Sequence, residues 1–361
     1  MTSRRNFIKK SIVAGIAGSI PSTTFFAQEK PVKKDMIWAN LLHLSVNMWK
    51  DTTPFPYRDP NYKFTTCEET TQRGYRTNLL FDEDAWNAIL KNMAAAGLNM
   101  VLIDLGDAVV YDSHPEIAVK NAWTPEKLRN ELSKIRKLGI EPIPKLNFST
   151  GHDTWLGEYS RMVSTKKYYE VCRNLIHEVI NIFDTPRFFH LGMDEEDANN
   201  QRNLDYVVIR QNDLWWGDFY FLIGEVEKKN VRSWIWSDYA WSYPDLFFKK
   251  MPKSVLQSNW YYGNTFDLDK MGESSGYHGA SARTYVELYH KLEAHGYDQI
   301  PTGSNWNFDT NMEATVEYCK NIIAPSRLLG FMTAPWRMTL TPCLGKHQDA
   351  INQLGRSIKK Y

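Results

Sequence analysis

The chain has 361 residues, a net charge of +1 and 14% aromatic side chains, with 13 Trp and 19 Tyr among them. With charges this balanced and no Lys/Arg run after the first few residues, it lacks the basic face that nucleic acid binding requires. Four cysteines, Cys67, Cys172, Cys319 and Cys343, lack the CxxC spacing of a zinc or redox motif, so neither a metal nor another cofactor is expected. A disulfide is open to an exported chain, although a core this large does not require one.

The chain begins with Ser3-Arg4-Arg5-Asn6-Phe7-Ile8-Lys9, then a weakly apolar stretch from Ser11 to Ile20, then Phe25-Phe26-Ala27. Basic region, short greasy region and small cleavage residue come in the order of an export signal, and the paired arginines resemble the twin-arginine type. Residues 1–27 are therefore expected to be a signal peptide that sends the protein to the periplasm or beyond. No later segment is long and apolar enough to cross a bilayer, so no membrane span is expected after signal removal.

From 28 to 361 the length suits a single domain. Strand candidates run Met36 to Met48, Asn99 to Leu105, Ile140 to Asn147, Arg187 to Met193, Val231 to Ser237, Ser254 to Trp260, Gln299 to Ser304 and Leu329 to Ala334. Helical runs lie between them with readable ends. Asp82 caps one that stops at Gly97, Thr124-Pro125 opens another that ends at Leu138-Gly139, and Asn230 and Gly296 close two more. Thr310 to Glu313 reads as a capping box before a helix to about Ile323. Eight β-then-α units predict a (β/α)8 TIM barrel of the α/β class. The rival, a doubly wound open sheet, lacks a glycine-rich phosphate loop after any strand. Asp51 to Asn78 becomes a long first βα loop over the barrel mouth.

In such a barrel, chemistry sits at the C-terminal ends of the strands. Those positions here carry Asn47, Asp107, Asn147, His152, Asp194, Glu195, Glu196, Trp236, Asp238, Trp260, Trp306, Asp309, Trp336 and Arg337. Carboxylates ringed by tryptophans describe a saccharide cleft, in which acids move protons and indole faces pack on sugar rings. The densest signal is His190-Leu191-Gly192-Met193-Asp194-Glu195-Glu196, a strand that ends in three acids. Three adjacent carboxylates cannot all be buried unpaired, and their repulsion raises the pKa of at least one, as a general acid requires.

His190 to Glu195 is similar, at all but one glycine, to the His-x-Gly-Gly-Asp-Glu motif of family 20 glycoside hydrolases, the β-N-acetylhexosaminidases. Gly139-Ile140-Glu141-Pro142-Ile143-Pro144 through Gly151-His152 follows the rhythm of that family's strand three, and Pro335-Trp336 falls where its strand-eight Trp stands. The resemblance implies that Glu195 is the general acid, that Asp194 orients a 2-acetamido group acting as internal nucleophile, and that His152 stands behind them. Several family features are missing. No arginine ends strand one, Lys145 and Asn147 replace strand-three acids, strand seven offers Trp306-Asn307-Phe308-Asp309 rather than Tyr-x-Asp, and Arg337 follows Trp336. An altered sugar subsite is expected. The reading is a glycoside hydrolase whose partner is an oligosaccharide or glycoside. Two alternatives stay open: a barrel that binds saccharide without cleaving it, and a metal-dependent sugar isomerase or epimerase-like barrel. If water rather than an acetamido group is the nucleophile, Asp238 and Asp309 are the candidate bases.

Overall fold

The computed structural model describes residues 36–52, 56–59, 61–71, 74–272 and 280–361. The expected signal, residues 1–27, lies outside the described residues. Met36–Tyr361 forms one compact unit.

Its strands are β1 (Ile37–His43), β2 (Met100–Asp104), β3 (Glu141–Lys145), β4 (Phe188–His190), β5 (Arg232–Trp236), β6 (Leu256–Ser258), β7 (Thr302–Gly303) and β8 (Gly330–Thr333). They pair in parallel in the order β6-β5-β4-β3-β2-β1-β8-β7. The two ends meet through isolated parallel bridges, Gln257 with Gln299 and Trp260 with Thr302. The sheet is thus a closed (β/α)8 barrel, as expected. Its strands are buried almost throughout, which is why they read as apolar runs rather than alternating patterns. β8 opens with glycine for a steric reason: a Cβ on Gly330 would stand 2.1 Å from the carbonyl oxygen of Ile37 in β1.

Around the barrel run α1 (Glu83–Ala96), α2 (Pro125–Lys137), α3 (Lys166–Ile182), α4 (Asn212–Glu227), α5 (Tyr239–Ser242), α6 (Pro244–Lys250), α7 (Ala282–Ala294), α8 (Asn311–Ile322) and α9 (Leu344–Lys360). Asp82 caps α1 through the amides of Asp84 and Ala85, and Thr124 caps α2 through that of Lys127 with Pro125 in the first turn. The capping box at α8 does not form. Thr310 makes no side-chain cap bond, and Glu313 instead pairs with Arg356 of α9.

The sequence overstates the lengths of β4 and β7: the C-terminal residues of β4 leave the ladder to build the barrel mouth, and the start of β7 makes only isolated bridges at Gln299. The first loop has a small apolar core of its own, with Val46, Phe64, Met338 and Leu340. A disulfide joins Cys67 in that loop to Cys343, just before α9, so the cross-link that the core does not require serves the loop instead. Cys172 and Cys319 are free and buried.

Candidate active site

After β4 the chain turns sharply. Gly192, Met193 and Glu195 all have positive φ, at 72°, 72° and 55°. Gly192 is required there twice over, since a Cβ would also stand 1.9 Å from Oδ1 of Asn147. Met193 has no such exemption. It occupies the position where the resembled motif carries its second glycine, and a side chain held in the left-handed region costs on the order of 1–2 kcal/mol. Hydrogen bonds hold the turn. His190, buried and kept neutral by burial and by Lys145, accepts the Gly192 N–H at Nδ1 (3.1 Å). Asn147 Oδ1 accepts from Met193 (3.3 Å), and Asp238 Oδ2 accepts from the Glu195 N–H (2.8 Å).

The turn sends the three acids in different directions. Asp194 takes Asn147 Nδ2 on Oδ1 at 2.8 Å and lies 3.4 Å from His152 Nε2 through Oδ2. Glu195 meets the same His152 nitrogen at 3.1 Å. Glu196 turns away, clamped by Arg210 through both oxygens, and Arg210 also reaches Asp218 and the Phe148 carbonyl. Burial works to lower the pKa of His152, but Asp194 and Glu195 outweigh it and the imidazole is raised. The acid pushed well up is Asp238, first by burial and then by repulsion from Asp194. Burial and neighbouring carboxylates thus disfavour the charged form of the acid beneath Glu195.

Asn147, His152, Asp194 and Glu195 line a cleft of about 750 Å³ together with Trp260, Trp306 and Trp336. Tyr262 and Tyr285 line it too, as do Trp49, Lys50, Asn200 and Asn203. Trp336 has φ of 53°, a strained conformation for so bulky a residue, and its indole N–H reaches the Tyr262 hydroxyl at 2.8 Å. Trp260 stacks on Tyr262, 5.0 Å between centroids. The cleft therefore has an anionic floor and flat aromatic walls.

Not every strand-end residue is brought here. Asn47 and Asp107 are sealed beneath the first loop, where Asp107 accepts from Ser45 (2.6 Å) and Asn47 (2.7 Å). Burial pushes the Asp107 carboxyl up to about 7. Trp236 is buried between His190 and Trp336 below the cleft floor. Asp238 and Glu196 line a smaller pocket of about 200 Å³ on the far side of Glu195. Asp309 is exposed outside the cleft. Arg337 lies over the outer face of Trp306, 3.8 Å from the ring centre. Sequence reasoning missed Tyr262, Tyr285, Asn200 and Asn203. Tyr262 had a readable signal in the aromatic run after β6; the two asparagines sit in a polar stretch with no periodicity.

His152, Asp194 and Glu195 offer ligand atoms within 4.8 Å of one another, a spacing a divalent cation can use. Those atoms already satisfy one another through a raised imidazole between two carboxylates, which is the arrangement of a hydrogen-bonded acid pair.

No protein-family model matches this chain, and neither does any curated protein sequence. Solved structures do. A chitobiase from Flavobacterium johnsoniae shares 16% identity at a TM-score of 0.52, over 78% of this chain and 50% of its own. Dispersin B shares 13% at 0.53, over 77% of this chain and 95% of its own. The N-acetyl-β-hexosaminidase of Streptomyces plicatus, solved with Thio-NAglucal, shares 11% at 0.55, over 89% and 64%. The chain thus spans about half the length of the chitobiase. The fold of this chain is the one seen in solved family 20 β-N-acetylhexosaminidases.

Proposed function

We propose that the protein is a glycoside hydrolase acting on N-acetylhexosaminides by substrate-assisted catalysis. The observation that carries this reading is Asp194 and Glu195 side by side on the floor of an aromatic cleft, tied together by His152. In support, the structural neighbours named above are a chitobiase and an N-acetyl-β-hexosaminidase.

Asp194, fixed by Asn147 and His152, accepts the N–H of a 2-acetamido group and aligns its carbonyl oxygen with the anomeric carbon. That oxygen attacks as the glycosidic bond breaks, and Glu195 gives its proton to the departing oxygen. Water then attacks the anomeric carbon, its bond to the acetamido oxygen breaks, and Glu195 takes a proton from that water, so two inversions retain the configuration. The raised imidazole of His152 offsets the two nearby carboxylates and holds both in register. Asp238, its carboxyl raised by burial and by Asp194, accepts the Glu195 amide and fixes the strained backbone that aims the acid.

Glu195→Gln should lower kcat by about 10²–10⁴-fold on substrates with poor leaving groups and far less on activated aryl glycosides. Equal losses on both would show that Glu195 is not the proton donor. NMR of the first-formed anomer should show retention; an inverted product would remove the acetamido nucleophile from the scheme.

We propose in addition that the mature chain works outside the cytoplasm. The Cys67–Cys343 disulfide supports this, since such bonds persist in oxidising compartments. Intact mass of protein recovered from the periplasm should correspond to a chain beginning near Gln28.

A further inference from the structure

A second cavity, of about 390 Å³, lies within the first βα loop and shares no lining residue with the cleft over Glu195. One wall is aromatic. Tyr57 stacks on Phe64 at 5.4 Å with an 18° tilt, Tyr62 packs edge-on against both, and Tyr75 adds a fourth ring. Into this wall is set the guanidinium of Arg76, 5.8 Å from the centre of Tyr57 and 5.3 Å from that of Phe64.

Arg76 is 9% exposed, and its Nε and Nη2 are buried with no hydrogen-bond partner among the described residues. Among the described residues it makes no ion pair. The acids on the cavity wall are Asp51 and Asp59. Asp51 is already paired with Arg161 at 2.6 Å, and Asp59 accepts the Asn61 amide at the exposed rim. Ring faces return to a cation only a fraction of what taking its charge out of water costs. The backbone explains why the residue is kept here, since its N–H and carbonyl both bond to the Asn47 amide. It does not explain why the side chain is an arginine, because any residue supplies the same backbone groups.

We propose that this cavity is a binding site for an anionic saccharide, in which a ring carboxylate pairs with Arg76 and the sugar face lies on the tyrosines. The site calls for a carboxylate because an anion offsets an unpaired buried guanidinium. It needs a ring because the opposing surface is flat, apolar and edged with hydroxyls. The site is independent of the chemistry at Glu195. It would hold an acidic polymer while the cleft works elsewhere on the same chain.

Calorimetry with D-glucuronate, D-glucose and acetate tests this on the whole mature protein. Glucuronate should bind at least tenfold more tightly than either of the others. Arg76→Gln should weaken it at least tenfold while turnover of a small aryl glycoside stays within about twofold, which also reports that the fold is intact. Tyr57→Leu, on the partly exposed ring, should weaken glucuronate binding without disturbing the guanidinium's backbone anchor. Glu195→Gln should leave glucuronate binding unchanged. The proposal is overturned if glucuronate fails to bind, if glucose or acetate binds as well, or if binding survives Arg76→Gln. In that last case the carboxylate sits on another cation, and Arg58 on the wall of the same cavity is the first to test.

Discussion

Asn147 with Asp194, and Asn47 with Asp107, make the same bond on different sides of the barrel mouth. In each an asparagine amide donates to the aspartate, at 2.8 Å in the first pair and 2.7 Å in the second. In each the asparagine carbonyl accepts backbone amides, from Ser149 and Met193 in one case and from Arg76 in the other. What surrounds them differs. Asp194 faces an open cleft and has His152 on its second oxygen. Asp107 is covered by the first loop, its other oxygen takes the Ser45 hydroxyl, and burial pushes it up to about 7. An acid held by an asparagine is thus not yet a catalytic device. An imidazole on the second oxygen and an opening to substrate separate the two.

The sharpest way to break this comparison is to neutralise each acid. Asp194→Asn should reduce kcat on N-acetyl-β-glucosaminides by about 10²–10⁴-fold, since the acetamido group loses the anion that stabilises its developing charge. Asp107→Asn should stay within about threefold of the parent. Steady-state kinetics on one substrate decides it, and comparable losses in both would mean that the covered pair also serves catalysis.

Truncating the asparagines sharpens the same contrast at smaller magnitude. Asn47→Ala strands the buried Asp107 carboxyl and the Arg76 amide, at a cost of about 1–3 kcal/mol for each unsatisfied group, and should leave kcat nearly unchanged. Asn147→Ala frees Asp194 to rotate and loosens the turn at Met193, so kcat should fall about 10–100-fold. Urea unfolding beside kinetics separates the effects. A kcat loss in Asn47→Ala as large as that in Asn147→Ala would count against the division.

The barrel was legible because its signals are local and repeated: eight apolar strands, helices opened by Asp82 and Thr124-Pro125, and glycines at the stops. Closure was less so. β7 has only two residues, and the β6–β7 join consists of single bridges formed by residues some 42 positions apart. The three acids after β4 could be singled out from repulsion alone, yet nothing local shows Glu196 turning back onto Arg210. Asn47 and Asp107 occupy strand ends just as Asn147 and Asp194 do. Their burial is decided by a loop that returns through Arg76, and neither residue type nor spacing carries that information. Met193 is a similar case: a methionine in the left-handed region is set by neighbours on three strands, not by its own preference.

The last expected effect leaves catalysis untouched: it concerns pH, and it isolates the covered acid. In the unfolded chain Asp107 ionises near the ordinary aspartate value of about 3.9, and in the folded protein near 7. Between those values the unfolded state has lost a proton that the folded state keeps. Each unit of rising pH therefore favours unfolding by up to about 1.4 kcal/mol from this group. The penalty is absent below pH ~4, grows through the window, and is constant above about 7, where both states are ionised. Asp107→Asn removes the titration, and the Ser45 hydroxyl can turn to suit either partner. Other groups, including His152 and Asp238, titrate alike in both proteins and cancel in the difference. Urea midpoints taken from pH 4.5 to 7.5 should therefore show the variant gaining on the parent as pH rises. If the difference between the two curves stays flat, Asp107 is ionised in the folded state after all, and the covered pair is closer in kind to Asn147 and Asp194 than its burial implies.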